Sequence, residues 1–171
     1  MNPALLVNDC YRSFSKRAGV NARYMINIII ESDRPWLKKA AVKETAARTL
    51  EMEGIDKAAY LNVLLTDNKR IREFNRRYLR RDMPTDVIAF CSKRTAAVNR
   101  SLKGFIGEIA ISVDMAQTNA RRYGISKEDE LRLYVVHGIL HLIGYDDESA
   151  KRRKVMELRQ GRIHKEICAS L

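Results

Sequence analysis

The chain has 171 residues, 46% of them hydrophobic, enough to bury one core without disulfides. Its 32 Lys and Arg against 21 Asp and Glu give a formal charge of +11, a field that draws phosphate polyanions and puts nucleic acid first among partners. The longest apolar stretch, Leu131 to Ile143, is broken by Arg132, His137 and His141 and falls short of the ~20 residues of a membrane span, and three cysteines (Cys10, Cys91, Cys168) without CxxC spacing exclude a disulfide framework and suggest reduced cytoplasmic thiols.

Residues 1–24 carry Arg12, Lys16, Arg17 and Arg23 against one acid, Asp9, and the apolar run from Pro3 to Val7 is too short for a secretory signal. They read as a loosely ordered basic extension, with a transit peptide or an RNA-contacting arm as the other readings. The folded domain is expected over 25–171.

Met25 to Glu31 contains the β-branched run MINIII and predicts a strand. Helix formers from Trp36 to Met52 follow the breaker Pro35, and Gly54 ends that helix. AYLNVLL, from Ala59 to Leu65, predicts a second buried strand. Thr66 or Asp67 can cap the next helix, Asp67 to Tyr78, whose Ile71, Phe74 and Tyr78 recur at helical spacing.

Asp86 to Phe90 predicts a short strand, Cys91 to Lys103 a polar loop, and Phe105 to Ser112 a further strand. Ser112 caps a helix through Tyr123, stopped by Gly124. Ser126 and Asp129 form a capping box for a helix that is apolar on nearly every face through Leu142 and is therefore expected to be buried. Gly144 ends it. A last helix from about Ala150 turns Val155, Met156, Ile163 and Ile167 inward. The expectation is an α+β single domain with one roughly four-stranded mixed sheet and about five helices.

The chemistry concentrates at His137-Gly-Ile-Leu-His141. Two His four apart on a helix lie on one face, so both imidazoles can reach one metal at ~2.0–2.1 Å. Gly144 turns the chain so that Asp147, or its neighbours Asp146 and Glu148, can add a third ligand. Such a set leaves a fourth position for water, as in hydrolytic zinc sites. The competing assignments are a pair of satisfied core histidines and, for Asp146, Asp147 and Ser149, N-caps of the final helix. His164 reads as a surface residue.

In the zinc-protease pattern HExxH the residue after the first His is a Glu general base. Here it is Gly138, which disfavours a protease. The general base is not named by the sequence; Asp86 and Glu108 are candidates, with turn capping and an exposed strand position as their other roles. The run Lys69, Arg70, Arg72, Arg76, Arg77, Arg80 and Arg81, interleaved with Tyr78, offers charges for a phosphate backbone, with Arg76, Arg77, Arg80 and Arg81 as the RNA-binding candidates; its plain alternative is a solvated face. Lys151, Arg152, Arg153 and Lys154 read as solvated helix.

HGILHLIGYDD (137–147) resembles the YbeY family signature HGxLHLxGYDH. PTDVIAF (84–90) resembles PTDVLSF, and IGEIAIS (106–112) resembles LGDIxIS, so that the likeness covers about Ile26 to Ile167. It implies a small α+β fold with the metal helix packed on the sheet. It further implies a cytoplasmic, single-strand-specific metallo-endoribonuclease of 16S rRNA 3′-end maturation and ribosome quality control. One zinc ion per chain is implied, held by His137, His141 and Asp147. The implied partners are single-stranded RNA, ribosomal RNA and the small ribosomal subunit, with neither membrane nor DNA. Asp147 stands where the family has its third His, Leu79 where it has the Arg of NxxYR, Ala89 for its Ser and Cys91 for its Pro. Arg80 or Arg81 is near enough in sequence to reach the space vacated at Leu79. These departures support a second reading, a non-catalytic RNA- or ribosome-binding module. A metal hydrolase of another substrate class is a third.

Overall fold

The computed structural model describes residues 24–91 and 104–170. Most of the expected 1–24 extension, and residues 92–103 of the expected polar loop, lie outside them. Among the described residues four strands form one mixed sheet in the order β1-β2-β4-β3. β1 (Met25–Ile30) and β2 (Tyr60–Thr66) run parallel, β2 and β4 (Phe105–Ser112) run parallel, and β3 (Val87–Cys91) returns antiparallel along β4. Of the two inner strands β2 is the one read as buried, and its burial is nearly continuous, while β4 carries the polar Glu108.

The alternation of side chains assigns the two faces of the sheet. Ile26, Ile28, Leu61, Val63, Leu65, Ile109 and Ile111 form the main core with Val42, Ala46 and Leu50 of α1 (Lys39–Met52) and Leu131, Val135, Ile139 and Leu142 of α4 (Lys127–Ile143). The other face of α4 presents Val136 and Leu140 to Met156, Ile163 and Ile167 of α5 (Ala150–Ala169). α4 is apolar all round because it is sandwiched between sheet and helix. Val155, expected inward, is 53% exposed. It precedes Met156 by one residue, a turn of about 100° out of the buried stripe.

The caps follow the sequence. Ser112 Oγ accepts from Met115 N–H at the start of α3 (Val113–Tyr123), and Ser126 Oγ accepts from Asp129 N–H at the start of α4. Gly124 and Gly144 close these helices at positive φ, 69° and 109°. α1 starts at Lys39 rather than Trp36; ahead of it the chain makes a turn in which Leu37 N–H donates to Arg34 O.

The helix expected over Asp67 to Tyr78 is capped by Asp67 and runs as α2 over Asn68–Phe74. It then widens into one π-helical turn, Asn75–Leu79, ending at Arg80 with φ 59°. Buried Asn75 holds this exit: its Nδ2 donates to Met83 O at 2.8 Å and its carbonyl accepts from Arg81 N–H, while Arg72 forks onto Asp82 at 2.9 and 3.0 Å. No described helix is long and apolar enough to cross a membrane.

Candidate metal centre

α4 can lie close on the sheet because of Gly138. A β-carbon there would stand 2.9 Å from Ile109 Cγ2 and 3.0 Å from Val87 Cγ1, inside ordinary contact. The position that distinguishes this motif from HExxH is therefore shut to any side chain by β3 and β4. The end of β3 reaches the next turn of α4: Cys91 Sγ donates to Leu142 O at 3.5 Å. Ala89 packs on the core.

One turn apart on α4, His137 Nε2 and His141 Nε2 approach to 3.1 Å. His141 Nδ1 lies 3.1 Å from the carbonyl oxygen of Tyr145, which can only accept, so Nδ1 carries the hydrogen and Nε2 presents a lone pair. His137 Nδ1 meets Gln160 Oε1 at 2.8 Å and is assigned the same tautomer. Two lone pairs facing each other at this distance repel unless a cation lies between them. Burial, then the neighbouring His137, holds the His141 pKa below its ordinary value, which favours the neutral, ligating form. The residues present therefore fit a metal ion.

The return after α4 brings a carboxylate to the pair. Tyr145 is anchored by its hydroxyl, which donates to Glu53 Oε2 at 3.2 Å, and by its N–H to Leu140 O. Asp147 is exposed, and a carboxylate oxygen of it lies within 4.8 Å of a ring nitrogen of both His137 and His141. Its main-chain oxygen accepts from Arg153 at 3.0 and 3.2 Å. Ser149, not Asp146 or Asp147, is the N-cap of α5. Asp146 turns to Arg152 at 2.8 Å and to Glu148 N–H, and Glu148 lies 3.6 Å from Arg152.

Gln160 escaped the sequence reading. It sits between Met156 and Ile163 in the inward stripe of α5, and a polar residue in such a stripe is the signal that marks it. His164, read as a surface residue, is half-buried with Nε2 3.1 Å from Asp129 O.

The arginine segment lies on the other side of the sheet. Val87 and Cys91 face α4, so Phe90 faces away, and there Tyr78 meets it edge-on at 5.2 Å with Phe74 6.3 Å from Tyr78. Arg76, Arg77, Arg80 and Arg81 are all exposed around this aromatic group, Arg77 lying 5.7 Å over Tyr78, and Leu79 beside them is 52% exposed.

Neither candidate base joins the histidines. Glu108 points to the side away from α4, half-buried rather than exposed, and accepts from Asn62 Nδ2 at 2.6 Å; burial raises its pKa and the Asn62 bond opposes this. Asp86 Oδ1 accepts from Thr85 Oγ1 and Val87 N–H, both at 2.9 Å, which is a local cap.

Comparison with known proteins agrees with this geometry. Residues 7–168 match the family Endoribonuclease YbeY. An Endoribonuclease YbeY of Bacillus cereus strain G9842 is 36% identical over 127 residues, 71% of this chain and 81% of that protein. Another, of Bacillus thuringiensis strain Al Hakam, is 37% identical over the same shares. The solution structure of TM1509 from Thermotoga maritima superposes with a TM-score of 0.60 at 28% identity, covering 85% of this chain and 91% of that one. With the three motifs, the four-stranded sheet and the paired histidines all in place, the chain belongs to the YbeY endoribonuclease family.

Proposed function

We propose that the chain is a zinc-dependent, single-strand-specific endoribonuclease of the cytoplasm, acting in 16S rRNA 3′-end maturation and in ribosome quality control. Family membership supports hydrolysis of RNA. The observation that carries metal dependence is the pair of Nε2 lone pairs 3.1 Å apart, each fixed from behind by an acceptor on the opposite ring nitrogen. His137, His141 and Asp147 would hold one zinc ion at this centre. Zinc so held supplies Lewis-acid polarisation of a phosphoryl oxygen and lowers the pKa of water. Gln160 and the Tyr145 carbonyl keep both imidazoles in the ligating tautomer. Arg76, Arg77, Arg80 and Arg81 bind backbone phosphates, without reading bases. The charge of +11 favours the same partners, ribosomal RNA and the small ribosomal subunit.

The test is metal analysis of the purified protein beside cleavage of matched single-stranded and duplex RNA. His141→Ala is expected to lose one equivalent of zinc and all cleavage while keeping its helical content. Cleavage at the wild-type rate in that variant would overturn the proposal. The exposed Leu79, where the family has an Arg, favours one rival, a binding module without catalysis. That rival predicts RNA binding and no cleavage by the zinc-loaded wild type.

A further inference from the structure

His164 and Cys168 repeat, on α5, the four-residue spacing of the histidine pair on α4. They face the first turn of α4, where Asp129 stands. Cys168 Sγ lies 3.5 Å from His164 Nε2 and 3.6 Å from Asp129 Oδ1, and one ligand atom from each of the three residues lies within 4.8 Å of the others. Bond lengths of ~2.3 Å for Zn–S and ~2.0–2.2 Å for Zn–N and Zn–O place neighbouring ligands of a tetrahedral ion about 3.6 Å apart. The two sulfur distances already have that value. All three side chains are half-buried, as a site with one position left for water requires.

We propose that Asp129, His164 and Cys168 form a second metal site, for a borderline-soft divalent cation of the zinc and cobalt class. Mixed thiolate, imidazole and carboxylate donors select such an ion over magnesium or calcium. Without metal the thiol donates to Asp129 Oδ1, and His164 Nε2–H donates to Asp129 O. The sulfur in that state is a thiol, because it faces a carboxylate oxygen that can only accept. On binding, the Cys168 proton leaves to solvent and the His164 proton moves to Nδ1, freeing sulfur and Nε2 as donors. Two negative charges then balance the dication.

Arg132 Nη1 bonds Asp129 Oδ1 at 2.6 Å and Ser126 Oγ donates to Oδ2 at 2.7 Å, so the carboxylate is held in place but shared with a competing cation. The site ties the end of α5 to the start of α4. These are the two helices whose register sets Gln160 against His137. The inference is independent of the catalytic proposal, because the two centres share no residue.

Cobalt(II) titration of the full chain under reducing conditions tests it. A thiolate-to-cobalt charge-transfer band in the near ultraviolet can come only from a site with cysteine, and the histidine pair has none. His141→Ala is expected to develop the band with one equivalent of cobalt, and wild type to complete it by the second equivalent, since its histidine centre takes up the other. Cys168→Ser should lose it, while Cys91→Ser and Cys10→Ser keep it. His164→Gln should weaken binding at least tenfold, and Arg132→Gln should tighten it several-fold by removing the competing charge. Circular dichroism checks that each variant is folded; should Cys168→Ser fail to fold, His164→Gln decides. No band in the wild type, or one that survives in Cys168→Ser, would show that the three groups are only a hydrogen-bonded helix cap.

Discussion

Gln160 stands behind His137 as the Tyr145 carbonyl stands behind His141: each engages Nδ1, at 2.8 and 3.1 Å, and leaves Nε2 to face the other ring. A partner of this kind fixes both the tautomer and the direction of the ligand, and losing it typically costs ~10–100-fold in metal affinity. Gln160→Leu is therefore expected to weaken zinc binding within that range with α-helical content unchanged. Competition against a chromophoric chelator measures it. Wild-type affinity in the variant would mean that the imidazole is held by packing alone.

Gly138 should resist every substitution. Gly138→Ala drives a methyl into Ile109 and Val87, and overpacking of this kind costs ~1–3 kcal/mol. Gly138→Glu should cost more, because the carboxylate would enter the apolar contact between α4 and the sheet. Urea denaturation of both variants measures the loss. An alanine variant as stable as wild type would show that β3 gives way freely.

Much of the fold was legible because its signals are local. MINIII, AYLNVLL and FIGEIAIS announce strands, and Ser112, Ser126, Gly124 and Gly144 mark helix ends. The histidine pair was legible because helical spacing fixes its geometry. What escaped depends on contacts distant in sequence. The π-helical turn after Phe74 is held by Asn75 to Met83 and by Arg72 to Asp82, which no periodicity encodes. The burial of Glu108 depends on Asn62, from a strand 46 residues away. The cap of α5 was open among Asp146, Asp147 and Ser149, since all three have the right chemistry and only the chain path separates them.

Glu108 gives a pH signature. Its folded pKa is raised, by burial first, so the folded state holds its proton more tightly than the unfolded chain. Stability from this group is full below the unfolded value of about 4.3 and falls as pH rises through the folded pKa. Glu108→Gln keeps an acceptor for Asn62 without the charge. It should be more stable than wild type at pH 7, with the advantage vanishing below about pH 4. Equal stability of the two proteins across pH 3.5 to 8, measured in urea, would contradict this.

The exposed arginines around Tyr78 set the salt dependence of RNA binding. Single-stranded nucleic acid loses about 0.7 in the slope of log affinity against log salt for each phosphate contact removed. Replacing Arg76, Arg77, Arg80 and Arg81 with Ala should flatten the slope by up to about 2.8 and weaken all sequences alike. Filter binding across a salt series reads both effects. An unchanged slope would remove this face from the binding surface.

Asp147 and Ser149 separate ligation from capping. Ser149 Oγ accepts from Arg152 N–H at the start of α5, so Ser149→Ala should cost ~0.5–2 kcal/mol of stability and leave zinc affinity as it was. Asp147 does not hold that cap, and its carboxylate stands with the histidine pair. Asp147→Ala and Asp147→Asn should therefore both weaken zinc binding, Asn nearly as much as Ala because the amide oxygen carries no charge, with little change in the stability of the metal-free protein. Asp147→His replaces the anion with a neutral donor, so it should retain zinc and, with less negative charge on the metal, shift the cleavage profile toward lower pH. Zinc titrations and urea denaturation of the four variants, with a pH–rate profile for the histidine variant, check all of this. Normal zinc affinity in both the Ala and Asn proteins would show that Asp147 is not a ligand and leave Asp146, Glu148 or water to complete the coordination.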